Sequence, residues 1–175
     1  MPTIGNIFVV GTSGSGKSTA SKKISTALGH KHVEIDALLW LPNWTQRDSS
    51  ELCKLLQAEL AQGPIVMDGN FATKGITPRE GDVIIFLDYP RWRIISRLIR
   101  RSLARVILRK ELWSGNREEF KFLISSDPEI NPILYAFKTH SSRHDSYTKL
   151  LEESYDTSNH IVKNPKQLRK LLEVL

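Results

Sequence analysis

The stretch GTSGSGKST at residues 11–19 constrains this chain more than any other. Gly11, Gly16, Lys17 and Ser18 satisfy the spacing G-x-x-x-x-G-K-[ST], and the apolar run IFVV at 7–10 leads into it. A helical pattern over 17–28 follows and stops at Gly29. Strand, glycine-rich loop and helix in that order make a cradle for phosphate. The glycines let the backbone curl, so that successive N–H groups through Ser13, Gly14, Ser15 and Gly16 point at one centre, and the helix adds its positive amino end. Lys17 can then reach the β- and γ-phosphates of a triphosphate, the Ser18 hydroxyl can ligate Mg²⁺, and Thr19 falls beside the α-phosphate. The loop names no acceptor for the phosphoryl group.

Beyond the loop, short apolar runs alternate with helical patterns. HVEID (32–36), IVMD (65–68), DVIIFLD (82–88) and HIVK (160–163) read as further strands. Residues 49–63, 90–110, 117–126, 131–153 and 165–175 read as helices, the last opened by Pro165. This alternation predicts an α/β fold, a parallel sheet with helices on both faces. Ligands in such sheets bind beyond the carboxyl ends of the strands, where Asp36, Asp68 and Asp88 are expected. The 175 residues contain no repeat or dividing linker and imply one domain. No apolar stretch is long enough to cross a bilayer, and the amino terminus lacks the cationic region of a secretion signal. Cys53, alone among leucines, reads as a small buried hydrophobe. These features point to a cytoplasmic protein.

Asp68 ends an apolar strand and begins DGNF, where a carboxylate can orient Mg²⁺. Asp36 ends VEID and should face the γ-phosphate, placed to hold an attacking hydroxyl or take its proton. A helix-capping role is open for both. Trp40 and Trp44, flanking Pro42, are candidate walls of an acceptor pocket or ordinary packing. Asp88 reads as a turn or cap residue. The net charge of +6 is concentrated. Between Asp88 and Glu111 lie eight basic residues and no acid, leaving −2 for the rest of the chain. Within that segment Arg93, Arg97, Arg101, Arg105 and Arg109 recur every fourth residue, so they form a slowly winding stripe on a helix. Such a stripe can stabilise a transferring phosphate from a lid, pair with acids elsewhere, or grip a nucleic-acid backbone. His140, Arg143 and His144 form a polar cluster that reads as a solvated helix face or as the far wall of the acceptor pocket.

GTSGSGKST, VEIDALLWLPNW, VMDGNF and FLDYPRWRIISRLIRR together resemble the adenylate-kinase-like group of phosphate-loop (P-loop) NTPases. The pattern is most similar to a small bacterial subgroup of kinase-like proteins labelled "DNA topology modulation protein". The resemblance covers about the first 117 residues well and the tail more weakly. It implies a three-layer sandwich on a five-stranded parallel sheet in the order 2-3-1-4-5, with a helical lid over about residues 102–130. It also implies Mg-ATP as donor and supports Asp68 as the residue that orients Mg²⁺. The spacing from Asp88 singles out Arg97 and Arg101 as the lid arginines, and places adenine against Asn164 and Pro165. The chain departs from the nucleotide kinases where they hold a monophosphate. The arginine after their D-G-F-P motif is replaced by Ala72, and Arg47 is the only arginine between Asp36 and Asp68. An aspartate ending the second strand instead resembles shikimate and gluconate kinases.

The expectation is therefore an ATP-dependent kinase with a small-molecule acceptor, either a nucleoside or nucleotide or a hydroxylated metabolite. Lys17, Asp36, Arg97 and Arg101 are the expected catalytic set, and Ser18 and Asp68 the metal ligands. Trp40, Trp44, Arg47, Asp36 and Asp68 are candidates to bind the acceptor, with Arg47, Lys74 and Arg79 available for a nucleotide's phosphate. A nucleic-acid-associated ATP-binding protein and a simple ATPase are the rivals. Monomer and homodimer both remain open.

Overall fold

A computed structural model describes residues 5–154 and 156–174. Five strands, β1 (Ile7–Val10), β2 (Lys31–Glu34), β3 (Ile65–Asp68), β4 (Val83–Leu87) and β5 (Ser158–Val162), form one parallel sheet. Their order is β2-β3-β1-β4-β5, the expected 2-3-1-4-5. Seven helices accompany it: α1 (Lys17–Leu28), α2 (Ile35–Leu39), α3 (Ser49–Leu60), α4 (Arg91–Ile107), α5 (Phe120–Ile124), α6 (Pro132–Glu153) and α7 (Pro165–Leu172).

The central strands are apolar without alternation because both faces are covered. In β1, Phe8 and Val10 pack with Leu52 and Leu56 of α3 and Tyr147 of α6. Ile7 and Val9 face the other way, onto Ala20 and Ile24 of α1 and Leu171 of α7. Local chemistry sets the helix ends. The Asp48 side chain accepts from the N–H groups of Ser50 and Glu51, and Asn131 caps α6 in the same way before Pro132.

Three expectations need correction. First, β2 ends at Glu34, and Asp36 stands in the first turn of α2 rather than on the strand. Second, the segment after α2 forms a small hairpin, Trp40–Leu41 paired with Thr45–Gln46, that periodicity did not reveal because each arm is two residues long. Third, the helix expected over 117–126 shrinks to Phe120–Ile124. The sequence-based statements about Met1–Ile4 and about Leu175 lie outside the described residues. Among the described residues no helix is long and apolar enough to cross a membrane.

Candidate functional site

The carboxyl ends of β1, β2 and β3 open onto the glycine-rich loop. Gly16 caps α1 with φ of +96°, a conformation that suits glycine, and a Cβ there would lie 3.7 Å from the Arg97 guanidinium. The loop closes on itself through Ser15 N–H donating to the Thr12 carbonyl at 3.0 Å. Lys17 Nζ donates to that same carbonyl at 3.2 Å, and Arg97 Nη1 donates to the Ser15 carbonyl at 3.1 Å. Arg97 thus reaches from α4 onto the loop, where it also lies over the buried Tyr89 ring at 5.1 Å.

Carboxylates face these cations. Parallel pairing sets Glu34 directly beside Asp68 at the ends of β2 and β3. Ser18 Oγ donates to Glu34 Oε1 at 3.1 Å. The buried Asp68 carboxylate lies 3.0 Å from His32 Nε2. Asp36 is brought in by Gly69. At φ of +124° a Cβ on Gly69 would stand 2.9 Å from the Ile35 Cβ, so only glycine lets α2 start this close to the end of β3. The Asp36 side chain caps no helix. Water reaches Asp36 in the open cleft, yet the surrounding protein raises its pKa above the ordinary aspartate value. Loss of hydration is the largest cause; Lys17 pulls the other way, while Asp68 and Glu34 add to the rise. Burial lowers Lys17, opposed by Asp36 and Asp68. Burial, then Arg105, brings Arg101 down to about 10, with Glu118, Asp36 and Glu34 opposing.

The arginine stripe divides. Arg97 serves the loop. Arg101 lies within reach of the charges of Asp36 and Glu34, and its buried Nε has no hydrogen-bond partner among the described residues. Arg105 pairs with Glu118 and lies over the Trp113 ring at 6.0 Å. Arg93 lies over Trp92 at 5.4 Å, and Arg109 is exposed.

Glu34 escapes the sequence reading, although it carries a signal, since it alternates with His32 on the face that points at Asp68. Of the two readings open to Arg143, the structure does not bear out a solvated face. Instead the side chain points inward, donating to Tyr147 Oη at 3.0 Å and Tyr135 Oη at 2.8 Å, and its charge bears on Lys17. Its spacing of four from the buried Tyr147 places both on one helix face, which was the available clue.

Other expected residues are engaged elsewhere. Arg47 pairs with Glu51 and donates to the Leu38 carbonyl at 2.8 Å. Arg79 sits at the amino end of β4, its N–H donating to Asp82, away from the cleft. Lys74 ends a short turn, Ala72–Lys74. Asn164 spends its side chain capping α7 at Lys166 and Gln167, with Pro165 as the first helical residue. Asp88 lies 3.0 Å from His144 Nδ1, and His140 Nε2 lies 3.2 Å from the Tyr89 carbonyl. Trp40 and Trp44 meet edge to face at 5.5 Å, and Trp113 joins Trp44 at 6.5 Å.

The arrangement resembles known proteins mainly in fold. A shikimate kinase from Acinetobacter baumannii, solved with shikimate, superposes with a TM-score of 0.59 at 16% identity, over 99% of this chain and 91% of that one. A sugar kinase from Janibacter sp. HTCC2649 gives 0.54 at 15% identity, over 98% and 94%. A gluconokinase from Sinorhizobium meliloti 1021 gives 0.53 at 16% identity, over 99% and 90%. The chain thus shares the fold of these kinases. In sequence the chain matches the uncharacterised YqaC protein of Bacillus subtilis (strain 168), 31% identical over 103 residues, or 57% of this chain and 58% of that one. No family model matches.

Proposed function

We propose that this protein is an Mg-ATP-dependent kinase that transfers the γ-phosphoryl group to a small hydroxylated molecule. The observation that carries the reading is the meeting of a phosphate cradle with Asp36 across one cleft, ringed by Lys17, Arg97, Arg101 and Arg143. Among the described residues none of these four cations pairs with a carboxylate within 4.0 Å. Half-buried cations without counter-ions await an anion.

The loop amides and Lys17 hold the β- and γ-phosphates. Ser18, Glu34 and Asp68 offer hard oxygen donors, a set that would hold Mg²⁺, and the ion would supply positive charge against the β- and γ-phosphates. The Asp36 carboxylate accepts the proton of the acceptor hydroxyl as its oxygen bonds to the γ-phosphorus. The bond to the β-phosphate oxygen breaks and ADP leaves with that electron pair. Arg101 and Arg143 stabilise the charge spread over the moving phosphoryl group.

Arg47 is paired with Glu51 and Arg79 stands at the amino end of β4, the end opposite the cleft, so neither is placed to hold a second phosphate, and Glu34 and Asp36 would repel one. This supports a hydroxylated metabolite or nucleoside over a nucleoside monophosphate. Three members of the arginine stripe turn into the cleft or onto Glu118, which favours phosphoryl transfer over nucleic-acid binding. The motifs after Asp36 and around Asp68 support a place beside the "DNA topology modulation protein" subgroup.

The test is ADP release from Mg-ATP with sugars, hydroxy acids, nucleosides, nucleoside monophosphates and duplex DNA, with Lys17→Ala and Asp36→Asn as controls. Stimulation by one small hydroxylated compound, lost in both variants, is expected. Stimulation by DNA alone, indifferent to Asp36, would overturn the reading.

A further inference from the structure

The turn Trp113–Gly115 and the hairpin at Trp40–Gln46 are held together over some 72 to 75 residues of sequence. Asn116 makes the join. Its Oδ1 accepts from Trp44 N–H at 2.9 Å, and its Nδ2 donates to the carbonyls of Leu41 at 2.8 Å and Trp113 at 2.9 Å. The side chain is 5% exposed, and its acceptor and both donors are used. Ser114 Oγ adds a bond to the Trp40 carbonyl at 2.7 Å, and Trp44 Nε1 one to the Arg117 carbonyl at 3.3 Å.

A second observation concerns strain. Among the described residues the non-glycine residues with positive φ are Asn43 (60°), Trp44 (56°), Arg109 (47°) and Ser114 (55°). Asn43 and Trp44 lie in the hairpin, and Ser114 in the turn that docks on it; Arg109 belongs to the end of α4, where its N–H donates to the Val106 carbonyl and that of Lys110 to the Arg105 carbonyl, a local helix cap. Left-handed backbone is disfavoured for any residue with a Cβ, and it persists where surrounding contacts over-determine it. For Trp44 and Ser114 those contacts come from the other segment. Separated, each segment can relax, so docked and undocked states are two discrete arrangements.

The join spans the proposed active site. The hairpin continues directly from α2, which carries Asp36. The Asn116 segment continues from α4, which carries Arg97 and Arg101, and is tied back to it by Arg105 and Glu118. We propose that Asn116 is a positioning residue: it latches this segment to the hairpin and so holds Arg101 across the cleft from Asp36. The consequence for turnover rests on the kinase reading; the latch itself does not.

Three of the four tryptophans, Trp40, Trp44 and Trp113, sit in the latch, and the fourth, Trp92, is 67% exposed on α4. In a Trp92→Phe background, emission therefore reports the latch. Asn116→Ala removes three hydrogen bonds, two of them across to the hairpin, and those two are worth roughly tenfold or more in the docking equilibrium. The expected result is a red-shifted emission and roughly tenfold faster tryptic cleavage at Arg109, Lys110 and Arg117, all exposed. The Kd for Mg-ADP should stay within about twofold, because the phosphate loop touches neither segment. Ser114→Ala, which removes one bond, should shift both readouts part of the way, and carries the test if Asn116→Ala fails to fold. With an acceptor in hand, kcat should fall in Asn116→Ala while the KM for Mg-ATP holds. Unchanged emission and cleavage in the folded variants would overturn the latch. A negative acceptor panel with a positive emission shift would overturn the kinase reading alone.

Discussion

Gly69→Ala separates packing from backbone strain at the point where Asp36 enters the cleft. The new Cβ meets the Ile35 Cβ at 2.9 Å, with Ile35 Cδ1 at 3.2 Å and Cγ1 at 3.3 Å. The nearest of these atoms belongs to the root of a side chain that is 2% exposed, so no rotamer change moves it away. The first turn of α2 must shift instead. Adopting the glycine-like backbone costs about 1–3 kcal/mol, and overpacking a tight site adds about 1–3 kcal/mol. Gly63→Ala supplies the control, because Gly63 has φ of +139° and nothing within 4 Å of a built Cβ. Thermal melts by circular dichroism should show both variants destabilised and Gly69→Ala the more so, by about 2–12 °C at roughly 2–4 °C per kcal/mol for a chain of this size. Phosphoryl transfer should fall in Gly69→Ala, because Asp36 moves with α2, and hold in Gly63→Ala. Equal melting temperatures in the two variants would refute the close approach. A stable Gly69→Ala with full activity would refute its link to the site.

Asp36→Asn should abolish most transfer, and the wild-type rate should fall with acid as pH drops through a value above the ordinary aspartate pKa of 3.8. The same shift has a stability sign: a raised folded pKa favours the folded state below the unfolded pKa, and that contribution is lost as pH rises through the folded pKa. Asp36→Asn should therefore melt higher than wild type at neutral pH, with the gap closing toward pH 3.8 and below; a lower melt at neutral pH would contradict the crowded-cleft account. Arg143→Met should lower kcat/KM by about a hundredfold, as for loss of one charge-stabilising donor. Arg47→Ala, breaking an i,i+4 ion pair worth about 0.3–0.5 kcal/mol, should leave activity within about twofold. Equal losses in the two variants would reverse the roles assigned to them.

Much of the frame is legible in the sequence because its signals are local. A buried strand such as IFVV, a glycine loop and a helix stopped by Gly29 each depend on neighbours within a few residues. The sheet order, by contrast, came from resemblance, since strand pairing is a long-range property. At the site, Lys17 was visible in the spacing of the glycine loop, and Asp68 and Asp36 as acids closing short apolar runs. Arg47 looked equally suitable until Glu51, one helical turn on, was seen to hold it. Arg143 looked surplus because its company, Tyr147 and Lys17, comes from a buried face and a distant loop.

Sequence alone determined that this chain builds a glycine-rich loop between a strand and a helix, because the loop is made from contiguous backbone whose conformation its own glycines permit. It also determined where acids and arginines stand along the chain. Only the tertiary structure decided which of those charges face one another. Glu34 meets Ser18, Arg97 meets the Ser15 carbonyl, and Asn116 meets Trp44 across distances in sequence that no local pattern encodes. Charge pairing and burial are properties of the assembled fold, and they separate an arginine that awaits a phosphate from one already spent on a neighbour.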